Sequence, residues 1–181
     1  MLELRPLRQE DVTAMAELED LCFPEDPWPA HLLASALEGE GVVALGLWLE
    51  GRLDAMVLGR FILDEGELHS MATRPERRGE GLALRLLDAF ILQARQAAVE
   101  HIWLEVRLGN VAAHRLYQRR GFVVEGPQAP LLRRWRGRPG DGTAAVQLSA
   151  GKAREGMRPA PPFLTFGVNT TMGARHTRAL P

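Results

Sequence analysis

Apolar residues recur along this chain with two different periods, and the switches between those periods predict its elements. Leu2-Glu3-Leu4-Arg5 alternates and predicts a short strand ended by Pro6. Behind Asp11, the residues Val12, Met15, Leu18, Leu21 and Cys22 keep helical spacing. A proline-punctuated loop follows at 23–29, then a second short helix over 30–38. Val42 to Leu49 is a continuous apolar run of strand length, Glu50-Gly51 turns the chain, and Leu53 to Leu63 returns as the other arm of a hairpin. Glu67 to Thr73 predicts a further strand that stops at Arg74-Pro75.

In the next helix, Leu82 to Ala98, the positions Leu82, Leu86, Leu87, Phe90, Ile91 and Ala94 share one face. His101 to Arg107 alternates strictly, with Ile102, Leu104 and Val106 on one side and Trp103, Glu105 and Arg107 on the other. Asn110 suits the N-cap of a helix over 111–120 that Gly121 stops, and Phe122 to Val124 begins another strand. The expected fold is α/β (α+β): a mixed, mostly antiparallel sheet flanked by helices, in the order β-α-α-β-β-β-α-β-α-β.

Composition divides the chain at Gly126. Residues 1–126 carry 13 arginines against 21 acidic residues, a net charge of −8. Residues 127–181 carry nine basic against two acidic residues, a net of +7, and hold seven of the 12 prolines. The expected organisation is therefore a domain over 1–126 and an atypical Pro/Gly/Arg-rich tail over 127–181 without periodicity. The single cysteine, Cys22, excludes an internal disulfide and any multi-cysteine zinc site, and no metal is expected. The opening residues lack the long apolar stretch of a secretion signal, and no run is long enough to cross a bilayer. A cytoplasmic protein without a membrane partner is expected. The basic tail has little aromatic interleaving, so no specific nucleic-acid partner is expected either.

Two segments carry candidate chemistry. Pro75-Glu76-Arg77-Arg78-Gly79-Glu80-Gly81-Leu82-Ala83 lies between a strand and a helix. Its glycines let backbone N–H groups converge at a helix N-terminus, an arrangement that binds phosphate oxygens, and Arg77 and Arg78 add positive charge. A plain glycine turn with solvated arginines is the alternative. The second segment runs Trp103-Leu104-Glu105-Val106-Arg107, Asn110, Leu116-Tyr117, Gly121-Phe122. Here Glu105 can take a proton from an amine and Tyr117 can give one to a leaving group. Taken singly, a surface glutamate, an N-cap and a packed tyrosine explain these residues better.

Together, in this order and spacing, the two segments resemble the GNAT N-acetyltransferase superfamily, and more narrowly the bacterial ribosomal-protein-alanine N-acetyltransferases. Arg78-x-x-Gly81-x-Ala83 is similar to the superfamily's acetyl-CoA signature, and Phe23-Pro24 with Pro27-Trp28 to the narrower family's N-terminal loop. The resemblance covers roughly 1–126. It implies acetyl-CoA as cosubstrate, held by the strand residues Met71, Ala72 and Thr73, by Arg78, Gly79, Glu80, Gly81, Leu82 and Ala83, and by Asn110. It implies Glu105 as general base and Tyr117 as general acid. One departure is Glu80, an acid beside the expected pyrophosphate.

The implied acceptor is the α-amine of a protein, a basic ribosomal protein in particular. An α-amine titrates at about 8 against about 10.4 for lysine, so a single carboxylate suffices to deprotonate it. A lysine side chain or small amine as acceptor, or a chain that binds CoA but is catalytically impaired, are the other readings. The impaired reading draws on the tail, which lacks the family's Arg-x-x-Tyr-Tyr and Glu-Asp-Ala-x-x-Met hairpin. One allowed codon string for 127–142, shifted by one nucleotide, translates as Pro-Arg-Arg-Arg-Tyr-Tyr-Ala-Asp-Gly-Glu-Asp-Ala-Leu-Val-Met. The tail is accordingly expected to be out of frame or disordered, leaving the strand at 122–124 without a partner.

Overall fold

The computed structural model describes residues 1–107, 109–124 and 143–149. Its elements are β1 (Leu2–Pro6), α1 (Val12–Cys22), α2 (Ala30–Leu37), β2 (Val42–Leu49), β3 (Arg52–Ile62), β4 (Glu65–Thr73), α3 (Leu82–Gln96), β5 (His101–Arg107), α4 (Val111–Gln118), β6 (Val123–Val124) and β7 (Thr143–Ser149). Up to β6 the order is the one the periodicity predicts. The strands form one sheet in the order β1-β2-β3-β4-β5-β7-β6. All neighbours are antiparallel except β4 and β5. A parallel pair needs a crossover, and α3 supplies it.

The sheet is buried on both faces. On one side, Leu82, Leu86, Leu87, Phe90 and Ala94 of α3 pack with Leu45, Leu47, Val57 and Leu104. On the other, Met15 and Leu18 of α1 and Leu33 of α2 pack with Ala44, Met56, Leu58 and Ala72. Two-sided burial explains why β2 reads as an unbroken apolar run instead of an alternating one. It also fixes Gly59 in β3, where a Cβ would lie 2.3 Å from the Glu67 carbonyl oxygen and 2.7 Å from the Phe90 ring.

Two irregularities shape the centre of the sheet. In the β3–β4 register Leu58 faces Ser70 and Gly59 faces Leu68, so His69 is an extra residue in β4, a bulge. The parallel pairing of β4 with β5 covers only Glu65–Leu68 against His101–Leu104. Beyond it the strands part. Ser70 to Thr73 keep β3 on one side, and Glu105 to Arg107 keep β7 on the other. A cleft thus opens in mid-sheet between Ser70–Thr73 and Glu105–Arg107, lined by strand edges whose backbone groups are not spent on each other.

The expectation of an unpartnered strand at 122–124 is corrected. Val123 and Val124 pair antiparallel with Gln147 and Val146 of β7, which also runs the full length of β5. Thr143-Ala-Ala-Val-Gln-Leu-Ser149 alternates as a strand does, a short periodic stretch inside the tail read as aperiodic. The apolar tail residues Leu131, Leu132, Trp135, Phe163, Leu164 and Phe166, named by that reading, lie outside the described residues.

Candidate active site

The cleft lies between the last residues of β4 and the second half of β5, where β4 runs on into the loop before α3. Gly79 and Gly81 have φ of +85° and +81°, the left-handed region, and a Cβ on either would meet nothing within 4 Å. Glycine is therefore required by the backbone turn rather than by crowding, and the turn borders open space. Gly81 is the N-cap of α3, and its carbonyl takes the first helical bond from Arg85 N–H at 3.0 Å. Leu82 is buried in the α3 core and Ala83 half-buried. The N–H groups of this first turn have no intrahelical partner, which suits an anion.

The loop's charges are arranged otherwise than the sequence suggests. Arg77 does not stand free: it donates to the buried Asp54 carboxylate at 2.6 Å and to Glu80 at 2.7 Å. Asp54, at 0% exposure, also receives Arg52 Nε at 2.8 Å, while Arg74 Nε donates to the Leu53 carbonyl at 2.8 Å. The loop is thus pinned to the start of β3. Glu80, the apparent misfit, is held by Arg77, which keeps its carboxyl below the ordinary range. Arg78 is exposed and reaches the Thr73 carbonyl at 3.4 Å. It also lies beside the Cys22 thiol.

On β4, Ala72 is buried and Met71 and Thr73 are half-buried. The Thr73 hydroxyl is buried without a hydrogen-bond partner, an orphan at the rim of the cleft. On β5 the predicted alternation holds: Ile102, Leu104 and Val106 are buried and Glu105 is exposed. Partial burial and the nearby Glu67 carboxylate push the Glu105 carboxyl up from its ordinary value. Asn110 Oδ1 accepts from the Ala113 N–H at 3.1 Å, so its capping role is observed.

Tyr117 in α4 is 6% exposed, packs in the α3-side core with Leu104 and Val106, and stands 5.4 Å from the Phe122 ring. Burial raises its phenol well above the ordinary value, so it stays protonated. Glu105, between Leu104 and Val106, points to the opposite face. Glu105 and Tyr117 therefore lie on opposite faces of the sheet.

Several residues of this region escaped the sequence reading: Glu19, Asp54, Glu67 and Ser70. Glu19 follows Met15 by four residues on the apolar stripe of α1, and Asp54 interrupts the apolar run of β3. A carboxylate in register with core positions is the signal that finds both. Among the described residues no group of three or more His, Cys, Asp or Glu is placed to hold a metal. No helix among them is long and apolar enough to cross a membrane.

Known proteins resemble this chain in sequence and in fold. The bS18-alanine N-acetyltransferase of Escherichia coli K12 is 34% identical over 96 residues, covering 53% of this chain and 64% of that protein. The chain thus spans slightly under two thirds of that relative's length. The Haemophilus ducreyi protein of the same name is 30% identical over 116 residues, 63% of this chain and 77% of that protein. The crystal structure of the E. coli S18-alanine enzyme superposes with a TM-score of 0.71 at 27% identity, over 87% of this chain and 99% of that one. A PaiA N-acetyltransferase from Thermoplasma acidophilum, in complex with coenzyme A, superposes with a TM-score of 0.68 at 15% identity, over 82% and 99%, a likeness of fold alone. The profile of the Acetyltransferase (GNAT) family matches residues 12–122, from α1 through the whole cleft to the start of β6, and the chain belongs to that family.

Proposed function

We propose that the chain transfers an acetyl group from acetyl-CoA to the N-terminal α-amine of a protein, a basic ribosomal protein in particular. The observation that carries this reading is a carboxylate of raised pKa, Glu105, at the point where β4 and β5 part, with the protonated Tyr117 on the other face. The names of the S18-alanine relatives support the acceptor class. The net charge of −8 on residues 1–126 favours a basic acceptor. A ribosomal acceptor sets the reaction in the cytoplasm.

The residues present fit acetyl-CoA. The open turn at Gly79–Ala83 offers backbone N–H groups and a helix N-terminus to the pyrophosphate, and Arg78 adds charge. The unpaired edge of β4 at Met71–Thr73, with the orphan Thr73 hydroxyl, offers hydrogen bonds to the pantetheine arm and to the carbonyl oxygen on which charge develops. Asn110, besides capping α4, is read as a further contact for the CoA. When bound, acetyl-CoA supplies an activated thioester. Glu105 takes a proton from the α-ammonium, directly or through water, leaving the nitrogen lone pair free to attack. The nitrogen–carbon bond forms as the carbon–sulfur bond breaks, Tyr117 gives its proton to the departing thiolate, and the acylated nitrogen sheds its second proton to solvent, from which the Tyr117 phenol is restored. A carboxylate of raised pKa is the better base for an amine titrating near 8.

The catalytic unit is residues 1–126 completed by β7. The out-of-frame reading covers residues from about 127 onward, β7 included, and is tested by the nucleotide sequence across codons 124–145. The transfer itself is tested by initial rates of CoA thiol release with acetyl-CoA and a basic, alanine-initiated peptide. The rate is expected to fall to background in Glu105→Gln or with an N-terminally blocked peptide. Thiol release indifferent to both changes would reject the proposal.

A further inference from the structure

Beneath the cleft lies a buried carboxyl that the transfer mechanism does not use. Glu19 is 1% exposed, and among the described residues no basic side chain pairs with it. Burying such a group without a cation is unfavourable unless its oxygens are occupied. Here both are. Ser70 Oγ donates to Oε1, and the Trp28 backbone N–H donates to Oε2 at 3.2 Å.

These two donors belong to different parts of the site. Ser70 follows the His69 bulge and opens the stretch of β4 not paired with β5. Trp28 lies in the loop 23–29 between α1 and α2, and its ring stands 5.9 Å from that of His69. At the base of the same loop the Cys22 thiol donates to the Thr73 carbonyl at 3.3 Å. From its outer part Glu25 reaches Arg107 of β5 at 3.8 Å. The loop therefore crosses from β4 to β5 over the cleft, on the face to which Glu105 points. It walls the side from which an acceptor must approach.

We propose that Glu19 is a positioning residue for the acceptor: by holding Trp28 and Ser70 at once, it fixes the 23–29 loop as one wall of the groove in which the acceptor's first residues lie. The proposal rests on the acetyltransferase reading above, and deepens it by assigning a determinant of acceptor binding to a residue that is neither proton carrier. Replacing Glu19 by leucine keeps bulk but removes both bonds. Glutamine keeps an acceptor for Trp28 and a polar group for Ser70.

The test measures peptide KM and kcat, acetyl-CoA affinity by calorimetry, and hydrogen exchange of the loop amides in the full chain. In Glu19→Leu, KM for the alanine-initiated peptide is expected to rise about 10-fold or more, with kcat within about 3-fold, a loss of binding shared by ground and transition states. Acetyl-CoA affinity is expected to hold within about 2-fold, exchange to accelerate selectively over 23–29, and Glu19→Gln to recover most of the KM. Should Glu19→Leu fail to fold, Ser70→Ala removes one donor without a large cavity and is expected to give the same split at about 3-fold. A parallel fall in acetyl-CoA affinity, a fall in kcat at unchanged KM, or unaltered loop exchange overturns the proposal. If the wild-type chain acetylates no amine, the function is rejected, and loop exchange alone decides the role of Glu19: selective acceleration upholds the clamp and no change overturns it.

Discussion

Replacing Gly81 by alanine separates the cost of a backbone conformation from the loss of a ligand. At φ +81° a Cβ is disfavoured, yet it would meet nothing within 4 Å, so no clash adds to the conformational term. The expected destabilisation is about 1 kcal/mol, which lowers the melting temperature by about 2–4 °C in a chain of this size. Gly51, in the β2–β3 turn at φ +79° and equally open, provides a matched control with the same conformational penalty. If phosphate oxygens approach the α3 N-terminus, the new methyl group at 81 occupies the space they need. CoA affinity should then fall about 10-fold or more, at least about 1.4 kcal/mol, while Gly51→Ala leaves it unaltered. Thermal unfolding and calorimetry with CoA measure both quantities. Equal CoA affinities in the two variants would refute the assignment of this turn as the phosphate cradle.

Three further outcomes follow from the geometry. The working form of Glu105 is the carboxylate, so its raised pKa makes activity fall, as pH is lowered, at a pH above the ordinary glutamate value of 4.5. Glu67→Gln removes a neighbouring negative charge, favours the ionised base, and should move that acid limb of the kcat/KM profile to lower pH. Tyr117→Phe keeps the ring against Phe122 but loses the proton donor. Turnover should fall about 100-fold with CoA affinity and melting temperature nearly unchanged, as read by rapid kinetics and calorimetry. Gly59→Ala forces a Cβ to 2.3 Å from a backbone oxygen and should destabilise the fold by about 2–3 kcal/mol, as read from the urea midpoint.

Much of this site was legible because its local rules act over a few residues. The alternation of β5 sets Glu105 opposite Leu104 and Val106, Asn110 caps α4, and paired glycines mark the turn before α3. What could not be read depends on contacts between distant segments. The bulge at His69 and the parting of β4 from β5 are properties of register, which no window of sequence contains. Arg77 looked available for phosphate because its partner Asp54 lies 23 residues away. Glu80 is different: its partner Arg77 is only three residues away, and the pair is hidden in the sequence because the same residue could as well face the ligand. Glu19 sits in an amphipathic helix, and only its place on the buried stripe of α1 distinguishes it from a solvated acid. The seven residues of β7 were lost in a tail whose prolines and glycines dominate its composition.

The central claim is transfer to an α-amine, and the position of the transferred acetyl group tests it most directly. The full chain is incubated with acetyl-CoA and a basic peptide that begins with alanine and carries internal lysines, and the product is fragmented by mass spectrometry. The account predicts one acetyl group, on the first residue's nitrogen, with the lysines unmodified and no product from Glu105→Gln. Acetyl groups on the lysines with a free N-terminus, or an unmodified peptide under conditions where CoA binds, would contradict it.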